Sequence, residues 1–91
     1  MNIENRATKL YLKKLPPVVA VELLEKYMIP SPYKEVIEAV CIKRLPLFKA
    51  MEYLSEKHCI NLSYTTIRRK FKMGLELFRD SNFVDGGKYL V

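Results

Sequence analysis

Glycine is scarce, with 3 in 91 residues, which disfavours a turn-rich all-β fold because tight hairpin turns draw on glycine's freedom at positive φ. Cysteine is as thin. Cys41 and Cys59 match no metal-binding spacing. The single histidine, His58, adjoins Cys59, so Cys and His alone cannot assemble a four-ligand zinc site. The two thiols fit a reduced, cytoplasmic protein better than a Cys41–Cys59 disulfide. No apolar run approaches the length that spans a bilayer, and charges recur every few residues through 1–14, which is no signal-peptide pattern. No membrane association is expected. Catalytic signatures are missing as well. There is no plausible Ser/His/Asp ordering, no carboxylate pair in an apolar setting and no phosphate-cradling glycine loop, Gly86-Gly87 being too little for one. We therefore expect no enzyme, no catalytic residue, no metal and no cofactor.

What the chain does have is positive charge. Sixteen Lys and Arg face 10 Asp and Glu, giving a net charge of +6 and a pI near 9.4. The excess divides evenly between residues 1–45 and 46–91, so it is no basic tail. A field of this sign favours polyanions, nucleic acid first among them, although solubility alone is the plainer reading. The length allows one domain over residues 1–91, and a hydrophobic fraction of 49% is ordinary for a globular chain.

Apolar spacing divides the chain into helices. Residues 2–14 place Ile3, Ala7, Leu10 and Tyr11 on one face, with Asn2 as cap and Arg6, Lys9 and Lys13 opposite. Pro16 and Pro17 suit the first turn of a second helix, which runs to about residue 28 with Val19, Leu23 and Tyr27 inward. Ser31, with Pro32 behind it, is the expected cap of a third helix whose core face is Val36, Ile37, Val40 and Cys41. Leu45-Pro46 forces a new start. A short fourth helix over residues 46–57 follows, with Leu47, Ala50, Met51 and Leu54 inward. Residues 58–62 read as a turn with two apolar plugs, Ile60 and Leu62. Ser63 caps the longest helix, to about residue 80, with Ile67, Phe71, Leu75 and Phe78 inward and Gly74 admitting a close neighbour. Met28 and Met51 are taken as core fillers, and Tyr11, Tyr27 and Tyr53 as packing residues. Asp85-Gly86-Gly87 between short apolar pairs signals a hairpin, a loose tail being the alternative.

The expected fold is thus all-α, with about five helices, a C-terminal helix-turn-helix, and a short hairpin or tail. Residues 1–29 form N-terminal helices available for packing or dimerisation, 31–80 the helix-turn-helix unit, and 82–91 the tail. In a helix-turn-helix the second helix lies in the major groove and its N-terminal residues reach base edges. Here four basic residues, Arg68, Arg69, Lys70 and Lys72, follow one another without an intervening acid. At about 100° per residue, Thr65, Thr66, Arg69, Met73 and Glu76 point away from the inward stripe, and Arg68, Lys70 and Lys72 flank them. Arg69 is the candidate for bidentate reading of guanine. Tyr64 and Thr65 are placed to touch a thymine methyl or a phosphate. Ser63 both caps the helix and bonds a phosphate, and Lys49 and Lys57 on the preceding helix are candidate backbone contacts. The plainer alternative is that residues 68–72 are merely a solvated helix face.

Ser63-Tyr64-Thr65-Thr66-Ile67-Arg68-Arg69-Lys70-Phe71 resembles the S-x-x-T-[VI]-R-R opening of the recognition helix in region 4 of bacterial sigma factors and in small phage regulators related to it. Gly74-Leu75-Glu76-Leu77-Phe78-Arg79 resembles the A-L-x-x-L-R ending in that family. The resemblance covers about half the chain. It implies a sequence-specific DNA-binding transcriptional regulator, phage- or mobile-element-encoded, with double-stranded DNA as partner. A lone helix-turn-helix reads only a few base pairs, so a homodimer is expected, with residues 1–29 and 83–91 available for the contact. The family usually carries Gly in the turn. Here His58 and Cys59 stand in its place, and Asn61 is the residue expected to turn left-handed. Two other functions fit the same residues: a protein-interaction module acting on RNA polymerase or another partner, and a nucleic-acid binder without sequence preference.

Overall fold

The structure, a computed structural model, describes residues 2–84, the side chains of Phe83 and Val84 excepted. It is all-α. Helix α1 is Ile3–Lys14, α2 Pro17–Lys26 and α3 Tyr33–Ile37. A π-turn, Glu38–Ile42, extends α3 without a break, and α4 (Leu47–His58) and α5 (Tyr64–Val84) complete the chain. Among the described residues there is no strand.

The core gathers on α5. Its stripe of Ile67, Phe71, Leu75 and Phe78 is buried, as the spacing predicts. Against it pack Leu12 of α1, Leu23 and Leu24 of α2, Val36 and Ile37 of α3, Val40 and Cys41 of the π-turn, and Ala50 and Leu54 of α4. Leu47 and Met51, expected inward, are half-buried against this core, as are the plugs Ile60 and Leu62. At Gly74 α3 packs tightly against α5. A Cβ built there would lie 3.0 Å from Cδ1 of Ile37 and 3.4 Å from Cβ of Tyr33. Helix α5 also outruns its expected end. Asn82 is buried and accepts a hydrogen bond from the Tyr27 hydroxyl at 3.4 Å, which carries the helix past residue 80. Residues 82–84 are therefore helical rather than hairpin or tail, and from Asp85 on that expectation lies outside the described residues.

The inward face of α1 corrects the sequence reading. Ile3 and Leu10 are 81% and 51% exposed and Ala7 is exposed, whereas Asn5, Thr8 and Leu12 are buried. The polar pair is satisfied where it sits. Asn5 donates through Nδ2 to Glu76 Oε1 at 3.5 Å and accepts from Arg79 Nη1 at 2.8 Å. The Thr8 hydroxyl donates to the Glu4 carbonyl at 2.9 Å. Burying polar groups costs little once they are hydrogen-bonded. Asn2 caps the helix as expected, accepting from the Asn5 amide at 2.7 Å.

Three helical segments end in a residue with positive φ, and none of the three is glycine: Met28 (53°), Arg44 (59°) and Cys59 (55°). In each case the next amide reaches back into the last turn, Ile29 to Leu24 O, Leu45 to Ala39 O and Ile60 to Leu54 O, all at 3.1 Å. These are the bonds of a left-handed C-terminal cap. They overturn two expectations. Met28 is 84% exposed and fills no core, because α2 stops at Lys26. The left-handed residue between α4 and α5 is Cys59 rather than Asn61, whose Oδ1 instead accepts from the Ser55 hydroxyl at 2.7 Å. At α3 the cap position belongs to Pro32, and Ser31 donates its hydroxyl to Glu35 Oε1 at 2.6 Å rather than accepting a backbone amide.

Candidate nucleic-acid interface

Helix α5 begins at a formed cap. The Ser63 hydroxyl oxygen accepts from the Thr66 amide at 3.2 Å and donates to Thr66 Oγ1 at 2.8 Å. The ends of the other elements along α5 define what stays open. Helix α1 touches it through Asn5 at Glu76 and Arg79, and α3 through Tyr33 and Ile37 at Lys70 and Gly74. The side chains of Tyr64, Thr65, Arg68 and Arg69 are exposed in the first two turns.

Thr65, Arg68, Arg69 and Lys72 line one shallow groove together with Phe71 and with Leu47 from the start of α4. None of these residues is acidic. Arg68, Arg69 and Lys72 pair with no acid among the described residues. Helix α1 sets Lys9 over one of these lining residues, its Nζ 5.8 Å from the centroid of the Phe71 ring. In the sequence Lys9 is only part of a polar helix face. Nothing local to residues 2–14 signals its place, because it meets Phe71 only when α1 runs back along α5.

The remaining sequence candidates lie elsewhere. Lys70 is half-buried on the opposite flank of α5, its Nζ 3.5 Å from the Tyr33 hydroxyl and 5.1 Å from that ring's centroid. Lys49 on α4 pairs with Glu52 at 3.8 Å and lies over the Phe48 ring at 5.7 Å. Lys57 is exposed in the last turn of α4. Tyr64 is exposed beside the cap, and Met73 is exposed further along α5. Glu76, expected to face away from the core, is half-buried against α1.

This arrangement gathers positive charge on one exposed surface. Like charges gathered on one surface repel, and counterions or a bound anion relieve that repulsion. The free amides at the start of α5 add the positive end of the helix dipole. Among the described residues no three His, Cys, Asp or Glu side chains gather so as to hold a metal ion. Among the described residues no helix is long and apolar enough to cross a membrane. Compared with protein-family models, with curated proteins and with solved structures, the chain matches none.

Proposed function

We propose that the protein binds double-stranded DNA through the N-terminal half of α5 and acts as a sequence-specific transcriptional regulator in the cytoplasm. The observation that carries this reading is the groove of Thr65, Arg68, Arg69 and Lys72, whose cations have no acidic partner among the described residues. In this reading α4 and α5 act as a helix-turn-helix, Arg69 reads a guanine edge, and Arg68, Lys72 and Lys9 hold phosphates. Lys70 contributes less, because it is engaged with Tyr33.

The test is fluorescence anisotropy on a random duplex pool, followed by selection and sequencing of the bound fraction. Arg69→Ala is expected to weaken binding by roughly tenfold and to erase any enriched motif, while Lys70→Ala loses much less. Three phosphate contacts predict a slope of log K against log salt of about −3. Tight binding without an enriched motif would replace sequence reading by charge-driven binding. An Arg69→Ala variant that binds as well as the parent would sink the interface.

A second reading, docking on another protein such as RNA polymerase or on a second copy, is favoured by the exposed apolar stripe Ile3, Ala7 and Leu10 on α1. Sedimentation of the parent and of Leu10→Glu tests the second copy. A dimer that dissociates in the variant supports it, and a palindromic selected site would accompany it.

A further inference from the structure

A second groove lies apart from the basic one, and no residue of α5 lines it. Its walls are Val18 and Val21 of α2, Ile42 of the π-turn and Tyr53 of α4, and its volume is about 440 Å³. That falls within the range of small-molecule sites, roughly 300–1,000 Å³. Val18 stands 69% exposed at its mouth, although it is flanked by apolar neighbours.

Five of the nine lining residues carry polar side chains, Glu22, Glu38, Lys43, Tyr53 and His58, and two of these are carboxylates. Glu38 and Glu22 both border the groove. The π-turn sets the position of Glu38. Its widened hydrogen bond, from the Lys43 amide to the Glu38 carbonyl at 2.9 Å, leaves Glu38 and Ile42 on one wall. Turns of this kind often mark functional sites. The Glu38 side chain is half-buried and makes no hydrogen bond or ion pair with any described residue. Its apolar surroundings push its carboxyl above the usual carboxylate range, against the pull of Lys34 and His58. Cationic groups act on it from a distance, but none closes an ion pair with it. Two basic residues line the groove as well: Lys43 is exposed on a long flexible stem, and His58 sits edge-on to Tyr53 with ring centroids 5.7 Å apart.

We propose that this groove binds a small organic cation with an apolar body, its ammonium or guanidinium end on Glu38 and Glu22 and its body against Val18, Val21, Ile42 and Tyr53. The charge complementarity runs against the chain's net charge of +6, so the general field does not recruit such a ligand. The local carboxylates do. The proposal stands independently of DNA binding, since the two grooves share no residue.

The experiment is an amide-shift NMR titration of the full chain at neutral pH with n-hexylamine, n-hexanol and n-hexanoate in parallel. Hexylamine is expected to saturate with shifts centred on residues 18, 21, 42 and 53, hexanol to bind about tenfold more weakly, and hexanoate not to bind. Glu38→Gln is expected to bring hexylamine down to the affinity of hexanol. Hexanol binding as well as hexylamine in the parent protein would overturn the proposal, as would shifts centred elsewhere, and this arm needs no variant to fold. An acetylated, amidated lysine tripeptide gives the last arm. Tighter binding by the peptide than by the free amine would overturn a small-molecule ligand in favour of a partner's side chain.

Discussion

Cys59 sits at φ 55° in the turn between α4 and α5, where an L side chain is disfavoured. The left-handed conformation costs a non-glycine residue about 1–2 kcal/mol. Replacement by glycine removes that strain but enlarges the freedom of the unfolded chain, a cost of about 0.5–1 kcal/mol. The Cys59 side chain is exposed, so no buried contact is lost. Cys59→Gly should therefore stabilise the protein by about 0.5–1 kcal/mol. For a domain of this size that raises Tm by roughly 2–8 °C. Cys59→Ala is the matched control, because it removes the thiol and keeps the Cβ that carries the strain. The assay is thermal and urea unfolding followed by circular dichroism on both variants and the parent under reducing conditions. A glycine variant no more stable than the alanine variant would refute the argument, for the gain would then not come from the backbone.

Gly74→Val should destabilise by about 1–3 kcal/mol, because the added methyls must displace the buried Ile37 side chain, and urea midpoints measure it. A thiol reagent should label one equivalent in the native protein, at Cys59, and a second only after unfolding. Cys41 is buried, and burial pushes its thiol up to about 12. Fast native labelling of both would contradict the packing of the π-turn. Glu38 gives a pH signature. Its folded carboxyl lies above the ordinary 4.5, so the unfolded state releases its proton first, and stability falls as pH rises through that window. Glu38→Gln should accordingly gain on the parent at neutral pH, and this gain should vanish in thermal scans below the ordinary carboxylate range.

Some of the fold was legible because local and distant requirements agree. Helix α5 carries an unbroken stripe at helical spacing behind a serine that proves to be its cap. The same holds for the buried face of α3 and its π-turn. Helix α1 shows where that logic stops. Its apolar stripe of Ile3, Ala7 and Leu10 is as periodic as any, yet it is left outside. Periodicity identifies a helix. Which face is buried depends on the surface it meets, and here Glu76 and Arg79, far along the chain, supply the partners that let Asn5 go inward.

The basic surface divides in the same way. The run of Arg68, Arg69, Lys70 and Lys72 and the helix that bears it are local properties, set by spacing and capping within residues 63–80. Only the tertiary structure turns Lys70 aside onto Tyr33, brings Leu47 to the groove and sets Lys9 over the Phe71 ring. The left-handed caps follow the same rule. With glycine absent, residues 28, 44 and 59 carry no local mark. The chain reverses there because Ile29, Leu45 and Ile60 must return to the core, and that demand arises only once the helices are packed.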